Sequence, residues 1–152
     1  MIGNRSLLEQ TRLRVSPAID KNRILTVLNL AHERHYRDLV NEIPPENVVI
    51  QPANRGTAPA ILYALMRLSE VARDAYVGVF PSDHFVSDDC EFRRHLDLSF
   101  DAIDSRPEMA ILLGITSHTV ESGYGWIERA SGKSLTVVPR APVLGKTRQR
   151  AR

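Results

Sequence analysis

Residues 23–74 read RILTVLNLAHERHYRDLVNEIPPENVVIQPANRGTAPAILYALMRLSEVARD, and this stretch decides the fold class. Two short β-branched runs, Arg23–Leu28 and Val48–Ile50, alternate with two helical segments, Ala31–Val40 and Thr57–Asp74. In the second helix, apolar residues recur three and four positions apart, at Ile61, Leu62, Leu65, Met66, Leu68 and Val71. Because strands joined through helices pair in parallel, the pattern predicts βαβ units and a largely parallel sheet with strands buried on both faces.

The alternation of helices and strands extends on both sides of this stretch. Before it, Ser6–Val15 is a predicted helix, because Ser6 and Glu9 have the spacing of a capping box. After it, a helix is predicted over Asp89–Ile103, and strands over Tyr76–Phe80, Met109–Ile115, Tyr124–Glu128 and Leu135–Val138. The whole pattern is typical of the α/β class.

Composition excludes several classes of protein. The chain has 152 residues, 43% apolar and 25% charged, which is typical of one globular domain and not of a disordered chain. A net charge of +2 is too balanced to indicate nucleic-acid binding. A single cysteine, Cys90, excludes an internal disulfide and a cysteine-built zinc site. With no apolar run of about 20 residues and no signal-like N-terminus, we expect a soluble, cytoplasmic protein that binds neither nucleic acid nor membrane.

The first candidate binding segment is Gln51–Thr57, which leads from a predicted strand into a predicted helix. Ligands of open parallel sheets bind at the carboxyl ends of the strands. Gly56 allows close backbone approach, and the N–H groups at the start of the helix favour an anion or the edge of a base. The alternative is an ordinary connection in which Thr57 caps the helix.

Two further segments have the composition of binding loops. Pro81–His84 follows a predicted strand and offers the carboxylate of Asp83, a natural ligand for Mg²⁺, although this residue could instead cap the next turn. Glu121–Ile127 places two glycines around Tyr124, which leaves backbone groups exposed to a polar ligand such as a sugar. The alternative there is a glycine-rich bend in which Tyr124 and Trp126 pack against the core.

The order of these motifs carries a family resemblance. SLLEQT is followed by NRGTAPA at the start of a helix, then by PSDH and then by ESGYGWIE. This succession, from about Asn4 to Glu128, resembles the sugar-phosphate nucleotidyltransferases, and within them the mannose-1-phosphate guanylyltransferase branch. The resemblance implies a three-layer α/β/α sandwich with a mostly parallel, Rossmann-like sheet. It also implies transfer of a nucleotidyl group from GTP to mannose-1-phosphate, with release of pyrophosphate.

The same resemblance implies roles for individual residues. The purine nucleotide would be bound by Asn54, Arg55, Gly56 and Thr57. The catalytic residue would be Asp83, which would hold the cofactor Mg²⁺ between the nucleotide phosphates and the sugar phosphate. The sugar would be contacted by Gly123, Tyr124, Gly125 and Glu128. His84 is then a structural residue, because this chemistry needs in-line positioning and charge neutralisation more than a general base.

The resemblance also predicts what this chain lacks. The family's first strand, its glycine-rich triphosphate loop and a later Glu-Lys-Pro segment have no counterpart, so residues 1–139 would be a partial nucleotidyltransferase domain. We expect impaired catalysis, with a non-catalytic nucleotide or sugar-phosphate binding module as the alternative. Without the first strand, an exposed sheet edge would lower stability or lead to self-association.

The last residues differ from the rest of the sequence. Residues 140–152 form a basic tail with no acidic residue. One choice of codons for Val143–Thr147, shifted by one base, encodes Phe-Trp-Glu-Lys-Pro, the motif that the family carries at about this place. We therefore hypothesise a frameshift between Glu128 and Val143, which the nucleotide sequence of the gene tests.

Overall fold

A computed structural model describes residues 5–115 of the chain. Residues up to Ser87 form one compact unit, and Asp88 begins a second. The first unit contains helix α1 (Leu7–Val15), strand β1 (Thr26–Asn29), helix α2 (Glu33–Val40), strand β2 (Val48–Gln51) and helix α3 (Thr57–Val71). Helix α4 (Asp89–Ser105) belongs to the second unit. Short 3₁₀ helices cover Lys21–Arg23, Leu30–His32 and Pro45–Asn47. The strands predicted over 124–128 and 135–138 lie outside the described residues.

Strands β1 and β2 form a parallel pair, in register from Thr26 opposite Val48 to Asn29 opposite Gln51. Helix α2 connects them, so this part of the chain is a βαβ unit, as the sequence predicts. Helices combined with a parallel sheet confirm the α/β class.

Helix α1 begins with the predicted capping box. The backbone N–H of Glu9 donates to Ser6 Oγ at 3.2 Å, and the backbone N–H of Ser6 donates to Glu9 Oε2 at 2.7 Å. The hydrogen bond from the Ser6 side chain is the main reason that the pKa of Glu9 lies below its usual value. Further along α1, Arg12 Nη1 donates to the buried Thr26 Oγ1, which connects the helix to β1.

The core of the first unit is small and lies around the βαβ segment. Its buried apolar residues are Val15, Tyr36, Ile43 and Val49. Burial raises the pKa of the Tyr36 hydroxyl, which has no hydrogen-bond partner among the described residues. An open groove of about 590 Å³ lies beside this core, lined by Val40, Asn41, Ile43, Pro45, Val48 and Ile50. Ile50 is exposed, so the predicted burial of β2 on both faces is wrong at that position.

Two predicted strands are absent from the described residues. Tyr76–Phe80 and Met109–Ile115 are not part of a helix or a strand, although both runs are apolar. Within residues 5–115, the sheet has two strands, and β1 and β2 pair with each other. An apolar run becomes a strand only when a neighbouring strand takes up its backbone hydrogen bonds. Composition therefore identified buried-strand candidates but not their partners.

Helix α4 begins where the sequence predicts and extends two residues further, to Ser105. Its cap is Asp88, whose Oδ1 accepts the N–H groups of Cys90 at 3.0 Å and Glu91 at 2.9 Å. Leu96 and His95 are its buried residues. No helix within residues 5–115 is long and apolar enough to cross a membrane.

Candidate active site

The four residues predicted to bind a nucleotide lie in the loop between β2 and α3 and at the first position of α3. Strand β2 ends at Gln51 and helix α3 begins at Thr57. The loop therefore lies at the carboxyl end of a parallel strand and at the amino end of a helix, the place where α/β proteins bind ligands. All four residues are exposed: Asn54, Arg55, Gly56 and Thr57.

A hydrogen bond within this loop fixes its shape. The N–H of Gly56 donates to Asn54 Oδ1 at 3.0 Å, which makes a turn closed by a side chain. Gly56 has φ +88° and ψ −179°, a conformation that residues with a side chain rarely adopt. A Cβ atom at Gly56 would meet nothing within 4 Å, so glycine is required by the backbone angle and not by lack of space.

The first turn of α3 has no side-chain cap, because its N-cap residue is Gly56. The suggestion that Thr57 caps the helix is therefore wrong, since Thr57 is already its first helical residue. The N–H of Ala60 donates to the carbonyl of Gly56 at 3.4 Å, and Pro59 has no N–H. The N–H groups of Thr57 and Ala58 are the remaining donors of this turn, and such donors bind anions and polar ligand edges.

Arg55 adds a positive charge beside these donors. Its side chain is exposed and lies between the two residues that close the turn, Asn54 and Gly56. A guanidinium group forms paired hydrogen bonds with phosphate oxygens. The loop thus combines a cation with backbone N–H donors, and this combination suits a nucleotide phosphate.

Asp83 lies in a turn after residues 76–80 and is highly exposed, with 82% of its side chain accessible. Its Oδ1 is 3.8 Å from Nε2 of His84, at the limit of an ion pair. Within residues 5–115, no three His, Cys, Asp or Glu side chains are grouped to enclose a metal ion. Mg²⁺, however, is commonly held by one or two carboxylates together with water and substrate phosphates. An exposed carboxylate such as that of Asp83 fits this kind of shared coordination.

The structure shows local contacts for both parts of the predicted site. The bond of Asn54 stays within its own loop, and the contact of Asp83 is to its neighbour His84. A common crevice for Asp83 and the nucleotide loop remains a prediction. The residues predicted to bind the sugar also remain predictions, because they lie outside the described part of the chain: Gly123, Tyr124, Gly125 and Glu128.

Sequence reasoning missed how the nucleotide loop is held. The signal was the spacing Asn-x-Gly immediately before a helix, at Asn54 and Gly56. Asparagine commonly accepts a hydrogen bond from the backbone two residues later, and glycine commonly takes a positive φ. The two propensities together predict the observed turn.

Comparison with known proteins identifies the family. The sequence profile described as nucleotidyl transferase matches residues 1–139. The chain belongs to the nucleotidyl transferase family. The expected assignment to sugar-phosphate nucleotidyltransferases is confirmed by the relatives of this nucleotidyl transferase domain, which include proteins of polysaccharide biosynthesis and mannose-1-phosphate guanylyltransferases.

Three relatives show the extent of the similarity. The xanthan biosynthesis protein XanB of Xanthomonas campestris is 28% identical over 92% of this nucleotidyl transferase chain and 30% of its own length. The alginate biosynthesis protein AlgA of Pseudomonas aeruginosa is 30% identical over 89% of the chain and 28% of its own length. A mannose-1-phosphate guanylyltransferase of Klebsiella pneumoniae is 24% identical over 93% of the chain and 30% of its own length. The chain thus spans about 30% of the length of these relatives. No solved structure matches it significantly.

Proposed function

We propose that this chain forms the nucleotide-binding part of an enzyme that makes GDP-mannose from GTP and mannose-1-phosphate. Membership of the nucleotidyl transferase family supports a transferase that uses a nucleoside triphosphate. The choice of GTP and mannose-1-phosphate is supported by the motif resemblance and by the names of relatives such as the Klebsiella guanylyltransferase. The observation that carries the proposal is the start of α3. It has no side-chain cap, Arg55 lies just before it, and it follows the carboxyl end of the parallel strand β2.

In the proposed reaction, an oxygen of the sugar phosphate attacks the α-phosphorus of GTP. A new phosphorus–oxygen bond forms, the bond between the α-phosphorus and the bridging oxygen breaks, and pyrophosphate leaves with its electron pair. Such a displacement depends on alignment of the two phosphates and on neutralisation of their charge. The N–H groups of Thr57 and Ala58 and the guanidinium of Arg55 would bind and orient the nucleotide.

Asp83 would supply the protein's carboxylate ligand for Mg²⁺. When bound, Mg²⁺ neutralises phosphate charge and brings the two phosphates together. Among residues 5–115, the exposed carboxylate of Asp83 has one ion-pair contact, with His84 Nε2 at 3.8 Å, so it is accessible to a metal ion. The sugar would be held by Gly123, Tyr124, Gly125 and Glu128, as the motif resemblance implies.

The test is pyrophosphate release by the full chain with GTP, Mg²⁺ and mannose-1-phosphate. Asp83→Ala should lower the rate at least about 10²-fold, the scale of losing one group that stabilises developing charge. Asp38→Ala, which removes an exposed carboxylate on α2, is the matched control and should leave the rate unchanged. A chain that binds GTP but releases no pyrophosphate would favour the non-catalytic binding module, and a chain that binds no GTP would contradict both functions.

We also propose that two copies associate through the edge of β1 that does not face β2. Within residues 5–115, β1 pairs with β2 alone, which leaves its other edge without a strand partner. Unpaired edges of this kind add strands from other chains. Sedimentation should detect a dimer whose fraction rises with protein concentration. A concentration-independent monomer would contradict this proposal.

A further inference from the structure

We propose that Asn54 is a positioning residue of the nucleotide site, which holds Gly56 in place through its side-chain oxygen instead of reading the base. This inference rests on the proposed function, because it specifies how that site is kept in shape. It differs from the role that the motif resemblance implies, in which Asn54 lines the base pocket as a contact residue.

The side-chain acceptor of Asn54 is already in use. Its Oδ1 accepts the N–H of Gly56 at 3.0 Å. For recognition of a base edge, an asparagine amide offers its carbonyl oxygen as acceptor and its NH₂ group as donor. In this loop the acceptor instead stabilises the protein's own backbone.

This hydrogen bond also stabilises the conformation of Gly56. Gly56 has φ +88°, and its carbonyl begins the hydrogen bonding of α3 by accepting from Ala60. Glycine by itself visits many conformations, so a free Gly56 would populate other loop shapes. The bond from Asn54 selects the shape in which the N–H groups of Thr57 and Ala58 begin the helix without a side-chain cap.

Three variants separate positioning from base reading. Asn54→Ala removes the acceptor, and Asn54→Ser keeps an acceptor that can close the same kind of turn but lacks the amide donor. Asn41→Ala removes an exposed asparagine that follows α2 and serves as the matched control. The measurements are GTP affinity by calorimetry on the full chain, and the temperature coefficient of the Gly56 amide shift by NMR without ligand.

We expect Asn54→Ala to weaken GTP binding roughly 3- to 10-fold, the equivalent of one hydrogen bond. We expect Asn54→Ser to bind within about 3-fold of the natural chain, since serine closes such turns only somewhat less well. In Asn54→Ala, the Gly56 amide shift should have the large temperature coefficient of a solvent-exposed N–H. In Asn54→Ser, it should not. Asn41→Ala should change neither measurement.

Two results would overturn the inference. One is a Gly56 amide that behaves identically in the natural chain and in Asn54→Ala, because the side chain would then not hold the loop. The other is an Asn54→Ser variant that keeps the Gly56 hydrogen bond and loses as much GTP affinity as Asn54→Ala. A natural chain that binds no GTP contradicts the proposed function, and the Gly56 amide still decides whether Asn54 holds this loop.

Discussion

The segment from α1 to β2 and helix α3 differ in how their apolar residues are used. In the first segment, Val15, Ile43 and Val49 are buried, and the capping box at Ser6 satisfies the start of α1. Helix α3 has no buried residue, although it is the most apolar helix described. Its Leu62 and Met66 are 59% and 62% exposed. The comparison shows that periodicity suffices to form a helix, whereas burial requires a partner.

The nucleotide loop lies at the boundary between these two regions, the segment from α1 to β2 and helix α3. The loop begins at the end of β2, whose backbone is fixed by pairing with β1, and ends at α3, which has no fully buried residue. The hydrogen bond from the Gly56 N–H to Asn54 Oδ1 therefore helps to order this loop. Ligand-binding segments are commonly found where rigid and weakly packed elements meet.

The largest difference is expected for truncation of apolar side chains in the two regions. Ile43→Ala should lower the free energy of unfolding by about 2–4 kcal/mol, because it removes buried methyl groups and leaves a cavity. Met66→Ala, on the exposed side of α3, should change it by less than about 0.5 kcal/mol. Urea denaturation of the two variants measures both values. If Met66→Ala costs as much as Ile43→Ala, the outer side of α3 is covered in solution, and the comparison fails.

A second, smaller effect concerns the backbone at the boundary. Gly56→Ala should destabilise the chain by about 1–2 kcal/mol, since alanine resists a positive φ. Gly78→Ala is the matched control, because among the described glycines it is Gly56 that has the positive φ. We expect less than about 0.5 kcal/mol for Gly78. Equal effects of the two substitutions would show that Gly56 adopts another conformation in solution.

The sequence alone predicted the structural features that depend on residues close together along the chain. The capping box at Ser6 and Glu9, the βαβ alternation and the start of α4 all depend on residues a few positions apart, and the structure confirms each of them. In the candidate site, the place of the nucleotide loop after β2 was predicted for the same reason.

The sequence alone did not predict features that depend on contacts between residues far apart along the chain. The run Tyr76–Phe80 has the composition of a buried strand, yet composition does not specify which strand lies beside it. The same limit applies to Asp83, since its chemistry is evident from its type but its neighbours across the fold are not. The cap of α3 was missed for a different reason, because the preference of threonine for N-cap positions competed with a glycine one residue earlier.

A third effect compares two serines on helices. Ser6→Ala should destabilise the chain by about 1 kcal/mol, because it removes the acceptor that caps α1. Ser69→Ala removes a hydroxyl on α3 that donates to the carbonyl of Met66 at 2.8 Å, and it should cost less than about 0.5 kcal/mol. Thermal denaturation of the two variants measures the difference. A larger loss for Ser69→Ala than for Ser6→Ala would show that α3 contributes more to stability than the start of α1, which contradicts the comparison.

The smallest expected effect is a change in acid sensitivity that depends on Glu9. Because the hydrogen bonds from Ser6 lower the pKa of Glu9 in the folded chain, the unfolded chain binds this proton more readily. The stability that Glu9 contributes is thus present above its ordinary pKa of 4.5 and is lost as the pH falls through the lower, folded value. Glu9→Gln keeps a capping-box partner but cannot titrate, so stability should fall less steeply below pH 4.5. Glu70→Gln on α3 is the control, and urea midpoints between pH 3 and pH 6, roughly the range around a glutamate pKa, provide the measurement. Because the capping box fixes the start of α1, a slope unchanged by Glu9→Gln would show that this box is not formed in solution. The two regions would then differ less than their side-chain burial indicates.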